Sequence, residues 1–216
     1  MDLLAQPSPH QDALERASAS LSVTPVLSFP SPPVVLDLSG PSPIFPEGCL
    51  YTLGRYNEHR AGLYRAALFD GQAEQRRTVH MGLDLGAPVG TEVYAWTESV
   101  VYAQGALSSQ GDYGHSVVLK AELELDGRRA ELWSLYGHLS ASSLALNQTG
   151  AVVSAGALVG TLGAWHENGG WPPHLHFQLS WCPPEGHDLP GAVTLDHRQR
   201  GLWTFPDPRL ILGALY

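Results

Sequence analysis

Ser116-Val117-Val118-Leu119-Lys120-Ala121-Glu122-Leu123-Glu124-Leu125, then Asp126-Gly127, then Ala130-Glu131-Leu132-Trp133-Ser134-Leu135-Tyr136 is the stretch that decides the fold class. From Leu119 to Leu125 apolar and charged residues alternate, the period of a strand with one buried face. Asp-Gly accepts the positive φ angles of a tight hairpin turn, so the two runs predict an antiparallel pair. Outward from the hairpin the pattern repeats in shorter pieces. Glu92–Ala95 and Ser99–Ala103 precede it, and Val152-Val153 and 157–163 follow, each bounded by glycine. Brief strands with glycine turns predict a mainly β domain whose antiparallel sheet folds on itself.

The remaining segments fit around that body. A chain of 216 residues with 23 Gly, 17 Pro and only 15% charged residues has material for one well-buried, turn-rich domain. Proline recurs at positions 25, 30, 32, 33, 41, 43 and 46, which removes backbone donors and blocks helix. We therefore expect residues 1–50 to be an N-terminal extension with an extended proline-rich arm, and 51–216 to be the functional domain with its C-terminal tail. Within the arm, Val34-Val35-Leu36-Asp37-Leu38 is apolar enough to add an edge strand. His10–Ala17 reads as a short helix whose thin apolar face predicts loose docking, and the tail 203–212 carries enough apolar weight to pack back on the body.

Charge and cysteine content limit the partners. The net charge is −9 and Lys120 is the only lysine, which argues against nucleic acid or an anionic membrane surface and gives no attraction to an anionic cell wall. Cys49 and Cys182 are too few and too far apart for a zinc ribbon or disulfide scaffold, and read as free thiols. The start, Met1-Asp2-Leu3-Leu4-Ala5-Gln6-Pro7, lacks the basic and apolar regions of a secretory leader, and no run is long enough to span a bilayer. The expectation is a cytoplasmic location, or a secreted or periplasmic one if a native leader precedes this sequence. The oligomeric state is left open.

Chemistry concentrates in three places. Pro173-His174-Leu175-His176-Phe177-Gln178 is strand-like, so His174 and His176 share one face. Thr78-Val79-His80-Met81-Gly82-Leu83-Asp84 sets a histidine four residues before a carboxylate, and Tyr136-Gly137-His138-Leu139 ends the hairpin. Each alone also fits a structural hydrogen bond, and a lone His-x-His strand is as readily a satisfied pair. Together they supply two imidazoles and a carboxylate for a catalytic zinc with an open position: His80, Asp84 and one of His174 and His176. The histidines left over could then move the proton of a bound water.

These motifs resemble the lysostaphin/LytM-type zinc metallopeptidases. The likeness covers roughly Tyr51 to Trp181 and includes Ala87-Pro88-Val89-Gly90-Thr91 and the glycine-punctuated 150–160 segment. It implies antiparallel sheets forming an open groove, a Zn²⁺ on His80, Asp84 and His176, and His138 with His174 as general base and transition-state stabiliser. It further implies endopeptidase action on peptide or peptidoglycan-derived substrates. Gln178 stands where the family commonly has an acid, and Ala121 where it usually has a histidine. Asn168-Gly169-Gly170-Trp171 and Tyr56-Asn57-Glu58 resemble a subgroup fused to class III aminotransferase and kinase-like domains, which makes an intracellular zinc hydrolase that ignores wall peptide the main alternative. A non-catalytic regulatory module is a third reading, opposed by the presence of all five site residues. His115 and His166 are candidates for the groove lining, Trp165 and Trp171 for its floor or rim. Arg55 and Arg60 are candidates for holding a substrate carboxylate, although solvated loop positions are the plainer expectation.

Overall fold

The computed structural model describes residues 6–18, 21–64, 67–69 and 76–216. Met1–Ala5, which carry the start of the leader expectation, lie outside the described residues. Helix α1 (Gln11–Ala17) is followed by strands β1 (Val34–Val35), β2 (Thr52–Gly54), β3 (Val79–His80), β4 (Leu83–Gly86), β5 (Glu92–Tyr94), β6 (Ser99–Ala106), β7 (His115–Leu125) and β8 (Arg128–Leu139). A 3-10 turn at Ala141–Leu146 leads to β9 (Val152–Val153), β10 (Leu158–Thr161), β11 (His174–Ser180) and β12 (Ala192–Val193), and helices α2 (Arg198–Thr204) and α3 (Arg209–Leu212) finish the chain. No described helix is long and apolar enough to cross a membrane.

The main sheet has eight strands in the order β1-β2-β4-β11-β8-β7-β6-β9, with two small pairs, β10-β5 and β12-β3, beside it. The fold is mainly β, and the pairings are antiparallel apart from the β1–β2 edge, which is parallel. The expected hairpin is β7–β8. Its register closes at Leu125↔Arg128, and Asp126 and Gly127 take φ of 50° and 73° as the turn requires.

Central strand β11 is covered on both faces. Leu175, Phe177 and Leu179, all at 0% exposure, enter the main apolar core with Leu85, Tyr136 and Trp96. The opposite face carries His174, His176 and Gln178. The arm lies along the sheet edge as expected, with Leu36 N–H donating to the Leu53 carbonyl. The tail folds back as expected too, burying Phe205 and Ile211.

Helix α1 departs from its expectation. Leu14 is fully buried in the main core beside Ala13, and Trp181 Nε1–H donates to Gln11 Oε1 at 3.1 Å. Two well-placed side chains and one polar tie dock this helix, despite its narrow apolar face.

Candidate metal centre

Strand register assembles the site. In the β11–β4 pair His176 lies opposite Asp84, and in the β11–β8 pair it lies opposite Gly137, which places His138 one step along. His80 arrives from β3, next to the sheet, where it pairs with Ala192. Between β3 and β4, Gly82 lets the chain pass against the His176 ring: a Cβ there would stand 2.6 Å from His176 Cε1.

His80 Nε2, Asp84 Oδ1 and His176 Nδ1 converge. His80 Nε2 is 3.1 Å from His176 Nδ1 and 3.2 Å from Asp84 Oδ1, and His176 Nδ1 is 3.1 Å from the same oxygen. Among the described residues these three form the group able to hold a metal ion. Donors about 2.0–2.1 Å from a tetrahedral ion are separated by roughly 3.3 Å, so the spacing suits one.

The rest of each side chain is already engaged. His80 Nδ1–H donates to the Arg55 carbonyl at 2.8 Å, and a carbonyl only accepts, so Nε2 carries the lone pair. His176 Nε2–H donates to Gln178 Oε1 at 2.9 Å, while Gln178 Nε2–H donates to the Pro190 carbonyl at 3.3 Å and fixes the amide's orientation. That leaves His176 Nδ1 with its lone pair. Arg60 Nη1–H donates to Asp84 Oδ2 at 2.6 Å, leaving Oδ1 for the cluster. Two lone pairs and a carboxylate oxygen therefore face one point, the donor chemistry a divalent cation fits.

Electrostatics favour the neutral forms of His80, His138 and His174. Burial, and then the Arg60 charge, lower the His80 pKa to about 4. Burial, and then the neighbouring His174 and His176, hold His138 well below the usual histidine value, and burial lowers His174 as well. Burial alone would raise the Asp84 carboxyl. His80 and Arg60 outweigh it and keep the group well below the ordinary carboxylate range.

His138 and His174 stand beside the cluster with ring centroids 4.3 Å apart. His138 Nδ1–H donates to the Asn168 carbonyl at 2.8 Å and His174 Nδ1–H to the Pro172 carbonyl at 2.7 Å, so both present Nε2 as an acceptor. His174 Nε2 lies 3.6 Å from Asp84 Oδ1. His138 has φ of 63°, a left-handed conformation that costs a non-glycine residue about 1 kcal/mol or more and that the surrounding bonds hold in place. Tyr113 packs against both His138 and His176, and its hydroxyl donates to the Leu189 carbonyl at 2.9 Å.

All five expected site residues thus come together, while several secondary candidates move. Arg60 is neither solvated nor free for substrate: it is 1% exposed and bonds Glu58 Oε2 at 2.8 Å as well as Asp84. Its Nη2–H also donates to the Arg55 carbonyl, the same oxygen that holds His80. The Arg55 side chain is half-exposed, 3.8 Å from Glu58. His115, His166 and Trp165 line a separate depression, whereas Trp171 lines the cavity at the metal cluster. Asn168 was not anticipated. It is fully buried and ties the 168–171 turn, accepting from Gly170 and Trp171 N–H at its Oδ1. The Asn-Gly-Gly run was its only sequence signal. Cys49 and Cys182 are free, as expected.

Comparison with known proteins follows the same motifs. The family model described as "Peptidase family M23" matches residues 78–188. The protein named DD-carboxypeptidase/endopeptidase Mpg from Neisseria meningitidis serogroup B is 32% identical over 100 residues, which cover 46% of this chain and 20% of that protein. This chain therefore spans about a fifth of the length of the curated relatives it matches. Among solved structures, the catalytic domain of a mutant of the prophage-encoded M23 protein EnpA from Enterococcus faecalis is 24% identical, with a TM-score of 0.44, covering 72% of this chain and 95% of that one. The catalytic domain of lysostaphin from Staphylococcus simulans is 23% identical, with a TM-score of 0.36, covering 56% and 80%. The family match takes in more than half of the sequence and contains all five clustered residues, and on that match the chain belongs to peptidase family M23.

Proposed function

We propose that this chain is a zinc-dependent peptidase that binds Zn²⁺ through His80 Nε2, Asp84 Oδ1 and His176 Nδ1 and hydrolyses peptide bonds, with peptidoglycan-type peptides the first substrate class. The observation that carries the reading is the convergence of those three electron-rich atoms within 3.1–3.2 Å of one another, each with its opposite atom tied to the protein. An ion held there supplies a water whose pKa falls to about 7 and polarises the scissile carbonyl.

The chain's own groups handle the proton. His138 is neutral and its Nδ1–H is fixed by the Asn168 carbonyl, so Nε2 accepts a proton from the attacking water and returns it to the leaving amine. His174, beside it, presents Nε2 from the opening of the cluster; a proton taken from bulk solvent, which a developing oxyanion alongside would favour against the lowered resting pKa, would make Nε2–H a donor to that oxyanion. Its 16% side-chain exposure, against 1% for His80 and 4% for His176, sets it on the substrate side. Gln178, Arg60 and the Arg55 carbonyl keep the three donor atoms aimed.

The test is cleavage of wall-derived muropeptides and of a panel of short peptides by zinc-loaded protein, with chelator-treated protein as control. Zinc-dependent release of peptide products supports the proposal. Equal release with and without chelator, or none from either set, contradicts it.

A further inference from the structure

The two walls of the site touch. On one side Arg60 Nη1–H, which bonds Asp84, also reaches the Tyr64 hydroxyl at 3.2 Å. On the other, Trp171 packs edge-on against His138 at 6.4 Å between centroids. Tyr64 and Trp171 then meet edge to face at 6.4 Å, and Phe69 stacks on Tyr64 at 4.5 Å. Each wall is backed by fixed structure. The arm presses on the turn before Tyr64, where a Cβ on Gly62 would stand 2.3 Å from the Gly40 carbonyl oxygen. Asn168 clamps Trp171, accepting its N–H at 3.0 Å and donating to its carbonyl at 2.9 Å. Tyr64 and Phe69 are 6% and 7% exposed, so the contact is packed and not a grazing one.

We infer that the Tyr64–Trp171 contact makes the groove a dead end beside the metal cluster, and that the enzyme therefore takes short peptides or chain ends and excludes bonds deep inside a long or cross-linked strand. This rests on the hydrolase reading and narrows its substrate class. Trp171 stands against His138 and Tyr64 against Arg60, which bonds Asp84, so the ring pair lies directly beside the cluster. The space beside the contact, about 130 Å³, is lined by Leu38, Leu63, Tyr64, Phe69 and Trp171 and by the charged Arg77, Asp112 and Asp188. It holds roughly ten waters' worth of volume, room for two or three small residues at the end of a chain.

The test uses the zinc-loaded full chain on oligoalanine and oligoglycine ladders of increasing length, with either end free or blocked, and on cross-linked wall peptide. Mass spectrometry locates each cut. Cuts confined to bonds near one free end are expected, with kcat/KM falling as the bond moves inward. Trp171→Ala opens the contact and should raise the internal-to-terminal ratio of kcat/KM by about tenfold or more, with zinc content unchanged. Trp171→Phe, which keeps a ring, should retain the terminal preference, and Tyr64→Ala approaches the same contact from the other wall should Trp171→Ala fail to fold. Wild-type protein that cuts internal bonds as fast as terminal ones overturns the inference, as does an unchanged ratio in both alanine variants. Absence of cleavage throughout, with zinc bound, instead contradicts the hydrolase reading beneath it.

Discussion

Replacing Arg60 probes how the site is held. Its guanidinium is 1% exposed and bonds Asp84 Oδ2 at 2.6 Å, Glu58 Oε2 at 2.8 Å and the Arg55 carbonyl at 3.2 Å. Arg60→Met removes a cation from between two buried carboxylates, a loss of about 3–5 kcal/mol when one partner of a buried pair is taken away. In a chain of this size that corresponds to a fall in Tm of roughly 10 °C. The double variant Glu58→Gln/Arg60→Met restores the charge balance, and neutral replacement of a buried ion network is often close to neutral in stability, so most of the lost Tm should return. Zinc affinity should not return. Asp84 is then free to rotate and the Arg55 carbonyl loses one of its two donors, so both variants should bind zinc about 10–100-fold more weakly. Urea unfolding of the metal-free proteins and zinc competition against a chromogenic chelator measure the two quantities separately. A double variant that binds zinc as tightly as wild type would refute the reasoning, because Arg60 would then serve folding alone.

Other outcomes follow from single residues. Gly82→Ala should lower stability and weaken zinc binding by at least about tenfold, since its Cβ would lie 2.6 Å from the His176 ring and 2.8 Å from the Phe177 carbonyl oxygen; unchanged affinity would show that the ligand ring is not displaced. His138→Ala should retain zinc and lose about 10²–10⁴-fold in turnover as the proton acceptor disappears, and turnover near wild type would remove His138 from the chemistry. Metal-free protein should lose stability in acid. The folded His80 value of about 4 lies below the unfolded value of about 6.5, so the unfolded chain binds more protons; this contribution is complete above pH ~6.5 and declines as pH falls towards 4, by roughly 3 kcal/mol from His80. A flat stability profile across that window, measured by denaturant midpoints, would contradict the buried neutral imidazole.

Features written in local pattern were legible from sequence, and features made by distant segments were not. Asp126-Gly127 between alternating runs announced the β7–β8 hairpin, and the two-residue spacing of His174 and His176 placed them on one face. The choice between those two as ligand came from family likeness, since the alternation alone treats them equally. What separates them is three-dimensional: His176 sits opposite Asp84 and has Gln178 behind it, while His174 lies opposite Gly86 nearer the opening. Arg60 looked like a solvated loop residue because its partner Asp84 is 24 positions away, and the β2–β4 register, Gly54 against Asp84, together with the His59–Val79 bridge brings them together. Glu58-x-Arg60, with opposite charges two apart, was the signal available. Leu14 illustrates the converse: a thin helical face says little about how deeply one leucine will sit.

X-ray absorption at the zinc edge tests the central claim most directly. Zinc-loaded wild type should show two imidazole nitrogens and one carboxylate oxygen at about 2.0–2.2 Å, with a solvent oxygen completing the shell. Asp84→Asn and His176→Ala should each alter that shell and weaken binding. A spectrum that stays the same in either variant, or one dominated by sulfur from Cys49 or Cys182, would contradict the assignment.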